Sequence, residues 1–500
     1  MKSYPPSRPS VAPPNGVSRR WMLKGAVALT ALGGVPARAA LSDYASAYRP
    51  LAPRGHVQAA GTPQQEKFVA RQRSFSLMDG QIQSDNFWSF SDDLLPVIRV
   101  PQHTPLTVTL KNELAEHTAI HWHGIRLPNA MDGVPYVTQP PIEPGDEFTY
   151  EFSPPDTGSF FFHPHCNTVE QLGRGLFGAL IVTGDETEAY DDEILCVVRD
   201  WRTTDAGDLL PVGTDEGASR SGTFGNLRTT NLTQSPAYQT VAQGDVRVRL
   251  MNLDNTRVME VGIEGAEAAI IAIDGNPVSP FPLSSWRLGP AMRLDIVMRM
   301  PTQGTVKLFD YFSAQPVLLA AFNPTGAPLR KKAFDPAPLF KSDIPTPDLT
   351  SARKVRFDFS ASAQTQALQD YAAEGVPWAD ELCLTDKTFW AINKTAWPED
   401  GHRQAPAPLA TLRKGETCVM ELVNQTPHMH PIHMHGHTFK YLSSNKRPLP
   451  PHHTDTVLLT PKERVKVAFV ADNPGDWMFH CHIIEHQDTG MMGMIRVVES

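Results

Sequence analysis

The stretch WMFHCHIIEHQDTGMM, residues 477–492, contains five side chains that bind transition metals, all within twelve positions. They are His480, Cys481, His482, His486 and Met491. Since successive side chains on a β-strand point to opposite faces, His480 and His482 share one face and Cys481 takes the other. One strand can therefore serve two different sites, with Cys481 in one and its two neighbours in the other.

The cysteine side of this strand has the donors of an electron-transfer site. A thiolate with two imidazoles and a weak axial thioether is the blue-copper arrangement. Cys481 supplies the sulfur, His486 one imidazole and Met491 the axial position. The second imidazole should come from HPIHMHG (430–436), where His430 is the best candidate because the other two histidines belong to a repeated pattern.

The histidine side of the strand belongs to an internal repeat. FFFHPHC (160–166) and WMFHCH (477–482) place their histidine pairs 317 residues apart, since 480 − 163 and 482 − 165 give the same offset. HWHG (121–124) and HMHG (433–436) repeat at an offset of 312. Recurrence at a nearly fixed offset indicates repeated domains. The two copies contain four H-x-H pairs: His121/His123, His163/His165, His433/His435 and His480/His482.

The middle of the chain holds a third copy of the unit that lacks these histidines. At an offset of 146 from the first copy, Phe309 and Tyr311 stand where the second histidine pair would be. At an offset of 141, which matches Gly265 with Gly124, Gly262 and Glu264 take the places of the first pair. The middle unit is therefore expected to keep the scaffold and to contribute no metal ligands.

Short alternating segments favour an all-β chain. EFTYEF (147–152) and RVKVAFV (464–470) have the pattern of half-buried strands. The 45 prolines and 34 glycines are consistent with many turns. We predict three Greek-key β-sandwich domains over residues 40–185, 186–345 and 346–500, with boundaries near residue 185 and in the proline-rich segment 324–352.

The four H-x-H pairs, in this order, resemble the signature of the three-domain multicopper oxidases, the family of laccases, cuprous oxidases and bacterial spore-coat oxidases. The resemblance covers nearly all of the chain after residue 39. It implies three cupredoxin-like domains, four copper ions and reduction of O₂ to water. It also implies these ligands: His430, Cys481, His486 and Met491 for a type 1 copper; His121 and His433 for a type 2 copper; His123, His163, His165, His435, His480 and His482 for a type 3 pair.

The resemblance also implies a route for electrons and protons. Electrons would enter at the type 1 copper through exposed histidine ligands and pass through Cys481 to His480 and His482. Asp132, in MDGVP (131–135), matches the acidic residue that the family places near the trinuclear cluster, although an Asp-Gly turn is the alternative interpretation. Gln487 stands where many members carry a glutamate, which leaves the proton route open.

The reductant is left open by the sequence. We expect a laccase-like oxidase of phenols or other aromatics, with a metal oxidase acting on Mn(II), Cu(I) or Fe(II) as the alternative. The 16 methionines are scattered, whereas cuprous oxidases of the family carry a methionine-rich insert. A non-catalytic periplasmic scaffold is the alternative of another class, but such relatives lose copper ligands. His428 and Met429, or His452 and His453, could line the substrate face or be ordinary loop residues.

Residues 1–39 have the pattern of a cleavable export signal. SRRWMLKG (18–25) carries a twin arginine, GAVALTALGGV (25–35) is apolar, and Ala37-Arg38-Ala39 ends the segment. The twin arginine resembles the signal of the pathway that exports folded proteins. About a dozen apolar residues are too few to span a bilayer, which needs roughly 20. We therefore expect a periplasmic or otherwise exported protein that uses the twin-arginine machinery and has no stable membrane insertion.

The net charge argues against one class of partner, and the cysteine count limits the possible disulfides. Without the six basic residues of the first forty, the formal charge falls from −9 to −15, which argues against nucleic acid as a partner. Five cysteines leave at least one thiol unpaired, with Cys481 the obvious candidate. Cys166, Cys196, Cys383 and Cys418 could pair in three ways.

Overall fold

The computed structural model describes residues 63–499 apart from 81, 185, 187–189, 362–389 and 399–404. The expected export signal (1–39) and Cys383 lie outside the described residues. Three pairs of β-sheets follow one another along the chain, and we refer to them as the first sandwich (64–183), the middle sandwich (192–325) and the third sandwich (353–498). The predicted all-β fold class with three β-sandwich domains is confirmed.

The first sandwich has two four-stranded sheets, in the orders β2-β1-β4-β6 and β3-β8-β7-β5. Its strands are β1 (Gln64–Leu77), β2 (Ile82–Ser89), β3 (Val97–Pro101), β4 (Leu106–Asn112), β5 (His121–His123), β6 (Glu147–Phe152), β7 (Gly158–His163) and β8 (Gly178–Thr183). A 3₁₀ turn covers Met78–Gly80, another covers Asn129–Met131, and helix α1 (Thr168–Arg174) follows the second histidine pair.

The middle sandwich has sheets of six and five strands, in the orders β10-β9-β12-β17-β14-β15 and β11-β19-β18-β13-β16. Its strands are β9 (Asp192–Trp201), β10 (Leu227–Thr230), β11 (Ala237–Val241), β12 (Asp245–Asn252), β13 (Met259–Glu264), β14 (Glu267–Ile273), β15 (Asn276–Pro282), β16 (Trp286–Leu288), β17 (Arg293–Arg299), β18 (Val306–Asp310) and β19 (Val317–Thr325). Helix α2 (Asp215–Ala218) lies in the connection between β9 and β10.

The third sandwich also has sheets of six and five strands, in the orders β21-β20-β23-β28-β25-β26 and β22-β30-β29-β24-β27. Its strands are β20 (Arg353–Ser360), β21 (Ala391–Ile392), β22 (Ala410–Arg413), β23 (Thr417–Asn424), β24 (His430–Met434), β25 (Phe439–Ser444), β26 (His453–Thr454), β27 (Thr456–Leu459), β28 (Arg464–Val470), β29 (Gly475–Cys481) and β30 (Met492–Val498). Helix α3 (Ile484–Asp488) follows β29.

The three sandwiches share one pair of strands in the same register. His121 of β5 pairs with His163 of β7, and His433 of β24 pairs with His480 of β29. In the middle sandwich the equivalent pair is Gly262 of β13 with Phe309 of β18. The repeat is therefore structural as well as sequential, and it places the histidine pairs at matching positions on neighbouring strands.

Each sandwich is closed by its own apolar core. The first is built around Trp122 and Phe162, and the third around Phe479, Trp477 and Cys481, all of them buried. Burying one such aromatic side chain contributes about 1.5–3 kcal/mol. In β6 and β28 the buried and exposed residues largely alternate, which confirms the strands predicted at 147–152 and 464–470.

Candidate metal centres

Eight imidazoles from the first and third sandwiches meet in one buried cluster. The strands β5 and β7 and the residues after them supply four, and β24, β29 and the residues after them supply the other four. The rings stack across the boundary between sandwiches, with centroids 3.7 Å apart for His121 with His435 and for His123 with His433. All eight are at most 1% exposed: His121, His123, His163, His165, His433, His435, His480 and His482.

Backbone carbonyls fix the tautomer of four of these eight rings. A carbonyl oxygen only accepts, so a ring nitrogen that bonds to one must carry the proton. The Nδ1–H groups of His121, His163, His433 and His480 donate to Asp132 O, Pro164 O, Asp455 O and Cys481 O, each at 2.9 Å. Each of these rings is therefore left with a lone pair on Nε2.

None of these Nε2 lone pairs accepts a hydrogen bond from a described donor. His435 donates its Nδ1–H to Asp132 Oδ2 at 2.8 Å, so its Nε2 also carries a lone pair. That atom lies 3.1 Å from His480 Nε2, where two lone pairs cannot form a hydrogen bond. The Nε2 atoms of His121, His163 and His433 are buried without a hydrogen-bond partner. Bound metal cations would satisfy these atoms, so the donor set fits a metal cluster.

In His123 the lone pair is on Nδ1, and not on Nε2 as in the rings above. Its Nε2–H donates to Asp455 Oδ1 at 3.1 Å, which leaves Nδ1 with the lone pair and without a partner. The same carboxylate receives two bonds from Arg293, at 2.8 and 2.6 Å. Thr456 Oγ1 lies 3.2 Å from His123 Nε2 and 3.2 Å from His433 Nδ1.

Burial keeps four rings of the cluster uncharged. It lowers the pKa values of His123, His163, His435 and His480 well below the ordinary value, and the neighbouring imidazoles lower them further. At neutral pH these rings are therefore neutral, and a neutral imidazole is the form that binds a metal.

A second group of donors lies on the opposite face of β29. Cys481 Sγ is 3.6 Å from His430 Nδ1 and 3.7 Å from His486 Nδ1, and the two nitrogens are 3.1 Å apart. His486 donates its Nε2–H to Arg220 O at 2.7 Å, and His430 Nε2 lies 2.7 Å from Thr426 Oγ1. Thr426 bonds onward to the Asn424 Oδ1 acceptor, so the hydroxyl oxygen accepts from His430. Both Nδ1 atoms therefore present lone pairs beside the sulfur.

The predicted axial residue, Met491, is hydrogen-bonded to Cys481 through its backbone, and an aromatic ring packs against the two histidines. Met491 is buried, and its carbonyl oxygen accepts from the Cys481 N–H at 3.0 Å. The Trp390 ring lies 4.2 Å from His486 and 5.1 Å from His430, centroid to centroid. The expectation that the histidines of this group are exposed is wrong, because His430 and His486 are both 0% exposed.

Asp132 and Gln487, which the sequence relates to the proton route, and the neighbouring Glu485 occupy different places. Asp132 lies against the histidine cluster, with Oδ2 bonded to His435 and Oδ1 3.3 Å from His121 Nδ1. Glu485 points away, and its carboxylate accepts from the backbone of Thr214 and from Thr223. Gln487 is buried beside α1.

Sequence reasoning missed Asp455, Thr456 and Arg293. Asp455 is the only acidic residue in HHTDTVLL (452–459), a short apolar strand region, which is a weak signal for a buried functional carboxylate. Arg293 begins β17 in the sandwich that contributes no histidine to the cluster. The four described cysteines, Cys166, Cys196, Cys418 and Cys481, are free thiols.

Comparison with protein families gives one consistent result. Three family models, each described as multicopper oxidase, match residues 77–187, 192–327 and 378–500. Together they leave residues 1–76, 188–191 and 328–377 unmatched.

Individual relatives agree with the family models. The chain is 29% identical to multicopper oxidase MmcO of Mycobacterium tuberculosis, over 79% of this chain and 80% of that protein. It is 27% identical to Laccase-1 of Botryotinia fuckeliana, over 81% and 77%. Among solved structures, the multi-copper oxidase of Pseudomonas thermotolerans is 36% identical with a TM-score of 0.77, over 87% of this chain and 100% of that one. The multi-copper oxidase of Pseudomonas parafulva is 38% identical with a TM-score of 0.72, over 86% and 99%.

Proposed function

Because the chain belongs to the multicopper oxidase family, it is a copper-dependent oxidoreductase that uses O₂, and we propose that its reductants are phenols or other small aromatic molecules. Oxidation of the reductant is coupled to the reduction of O₂. The similarity to a laccase supports an aromatic reductant. The main observation in favour of it is a cavity with aromatic walls beside the cysteine group.

We assign four copper ions to the two groups of donors. The type 1 ion would be held by His430, Cys481, His486 and Met491. The three sulfur and nitrogen donors that lie within 4 Å of one another support this, because a thiolate with two imidazoles is the blue-copper set. The eight imidazoles would hold a type 2 ion through His121 and His433, and a type 3 pair through His123, His163, His165, His435, His480 and His482.

The residues of the chain provide the link between these sites. When bound, copper supplies one-electron redox chemistry at the cysteine and four-electron reduction of O₂ at the histidines. Cys481 is adjacent in the chain to both His480 and His482, and its carbonyl oxygen accepts the His480 Nδ1–H at 2.9 Å. One residue therefore joins the two groups by covalent and hydrogen bonds.

A cavity of about 330 Å³ beside the cysteine group supports an aromatic reductant. Its walls include Phe224 and Phe312, which are 46% and 43% exposed, together with His428 and Ile483. The backbone nitrogen of Ile483 lies 3.4 Å from Cys481 Sγ. Since Ile483 also lines the cavity, this single residue contacts both the cavity and the sulfur. Aromatic and apolar walls with a few polar groups suit a small organic molecule.

The same lining weighs against hard metal ions as reductants. No aspartate or glutamate is among the described residues that line the cavity, and Mn(II) prefers carboxylate oxygen ligands. Met429 and His428 offer one thioether and one imidazole there, so Cu(I) is the second candidate. A non-catalytic scaffold is not supported, because the sequence retains every residue assigned here as a copper ligand.

We assign Asp132 a role in orienting the cluster and in delivering protons. Its Oδ2 accepts the His435 Nδ1–H, which keeps His435 Nε2 facing the cluster. Its Oδ1 is buried without a hydrogen-bond partner, so this atom is available to hold a proton near the site of O₂ reduction.

We further propose that the protein is exported through the twin-arginine pathway to the periplasm or beyond. The support is the signal pattern of residues 1–39. In the described part of the chain, no helix is both long enough and apolar enough to cross a membrane.

Oxygen uptake by the copper-loaded protein tests the reductant. Dimethoxyphenol, Mn(II), Fe(II) and Cu(I) would be supplied separately, with copper-depleted protein as the control. We expect fast uptake with the phenol. A blue protein that ignores the phenol and consumes O₂ with one of the metal ions would instead be a metal oxidase.

A matched pair of variants tests the cavity itself. Phe224→Ala removes an aromatic wall, and we expect KM for the phenol to rise several-fold. Tyr311→Ala removes an aromatic side chain that is 37% exposed and does not line the cavity, so KM should not change. Equal KM values for the two variants would contradict this location for the reductant.

A further inference from the structure

Arg293 brings the histidine-free middle sandwich into contact with both of the other sandwiches. It is the first residue of β17 and is 0% exposed. Its Nε–H donates to the carbonyl oxygen of Ser159 in β7 at 3.1 Å. Its two Nη groups donate to Asp455 Oδ1 and Oδ2 at 2.8 and 2.6 Å. One buried guanidinium therefore touches all three units of the repeat.

Asp455 passes this contact on to two rings of the histidine cluster. Its Oδ1 accepts the His123 Nε2–H at 3.1 Å, and its carbonyl oxygen accepts the His433 Nδ1–H at 2.9 Å. Among the rings of the cluster with a described hydrogen bond, His123 alone is left with its lone pair on Nδ1 rather than on Nε2. The carboxylate of Asp455 is what holds it in that tautomer.

We propose that Arg293 is a positioning residue for the histidine cluster. It holds the Asp455 carboxylate in place, and that carboxylate fixes the tautomer and orientation of His123. The backbone carbonyl of the same residue accepts from His433, so the position of Asp455 also affects the placement of that ring. The middle sandwich would therefore contribute to the cluster without supplying a histidine, because it supplies the group that orients ligands from both of the other sandwiches. Arg293 itself touches no imidazole of the cluster through a described hydrogen bond.

The charges around Arg293 agree with this role. Burial alone would raise the pKa of Asp455, but the Arg293 guanidinium and His433 hold it well below its ordinary value. A second carboxylate, Asp274, accepts the Arg293 backbone N–H at 2.7 Å, and burial raises the pKa of Asp274 to about 7.

The glycine of the motif HWHG (121–124) leaves space for the ion pair between Arg293 and Asp455. Gly124, the residue after His123, has φ +85°, and a Cβ there would lie 2.5 Å from Asp455 Oδ2 and 2.6 Å from Arg293 Nη2. Any side chain at this position would displace the bidentate contact. The glycine of the first histidine motif is therefore explained by the guanidinium of the middle sandwich.

The test compares Arg293→Met with Arg247→Met. Arg247 is also 0% exposed, lies in the same sheet and pairs with Asp295 and Glu186, but has no described contact with Asp455. Both variants lose a buried guanidinium, so a general loss of packing affects both. Copper retention against a chelator would be measured on loaded protein, with the blue absorbance reporting the cysteine site. Nitrogen NMR of the histidine rings in copper-free protein would report the His123 tautomer.

We expect Arg293→Met to lose copper from the histidine cluster with about 10–100-fold weaker retention, the size seen when outer partners of metal ligands are removed. The blue absorbance should persist, and His123 should populate both tautomers. Arg247→Met should resemble the wild type in both measurements. Wild-type retention and a single tautomer in Arg293→Met would overturn the proposal, as would an equal loss in Arg247→Met.

Arg293→Lys keeps the proposal testable if Arg293→Met does not yield folded protein. An ammonium group cannot bond both carboxylate oxygens as the planar guanidinium does. We expect the same losses as in Arg293→Met, but smaller, and wild-type behaviour in both measurements would overturn the proposal. The NMR readout uses copper-free protein, so it remains informative even if the assigned copper sites were wrong.

Discussion

Replacing Asp132 by alanine removes the acceptor of the His435 Nδ1–H, a charge-assisted hydrogen bond of 2.8 Å in a fully buried place. Leaving such a group unpaired costs about 1.5–3 kcal/mol. Since 1.4 kcal/mol corresponds to a factor of ten, copper retention by the histidine cluster should fall about 10–100-fold. Asparagine keeps an oxygen acceptor and loses only the charge, so Asp132→Asn should weaken retention by less than about tenfold.

Copper retention against a graded series of chelator concentrations measures this effect, with the blue absorbance of each sample as the internal reference. The cysteine group has no described contact with Asp132, so its absorbance should not change. Asp132→Asn should also slow O₂ reduction, because an amide cannot accept and release a proton as a carboxylate does. Wild-type retention in Asp132→Ala would refute the orienting role, and full oxidase activity in Asp132→Asn would refute the proton role.

Three further predictions concern the second donor group, a turn and a pH effect. Cys481→Ser should abolish the blue absorbance and the oxidation of reductants, and a retained blue colour would contradict the type 1 assignment. Gly133→Ala forces a residue with φ +82° to place a Cβ 1.7 Å from Ile120 O, so it should destabilise the fold by about 2–5 kcal/mol, and an unchanged denaturant midpoint would contradict this. Burial lowers the pKa of His452 to about 4, so its contribution to stability is present above pH 6.5 and is lost as the pH falls towards 4. In copper-free protein His452→Phe, which keeps an aromatic ring against Tyr441, should flatten the fall of the unfolding midpoint over that range, whereas an unaltered pH profile would show that His452 does not contribute.

Local patterns carried most of what the sequence predicted about the fold. The alternation in 147–152 and 464–470 predicted β6 and β28 because a half-buried strand needs only its own residues to show its period. The repeat predicted which histidines would lie together, since copies of one strand pair place them at the same register. That these histidines bind copper stays a prediction.

Contacts between distant segments could not be predicted in this way. Arg293 and Asp455 are 162 residues apart, and neither is one of the repeated histidines. The burial of His486 was also missed, because the carbonyl of Arg220 that accepts its Nε2–H comes from the middle sandwich. A sequence repeat indicates which elements are equivalent, but it carries no information about which loop of one unit covers a side chain of another.

The central claim is that this chain holds four copper ions in two groups of donors. The most direct measurement is the copper and zinc content per chain of the copper-loaded protein, taken together with its visible and electron paramagnetic resonance spectra on the same sample. The account predicts four copper ions, a blue absorbance and one type 2 signal. A colourless protein, or one that holds a single copper ion or fills the histidine cluster with zinc, would contradict it.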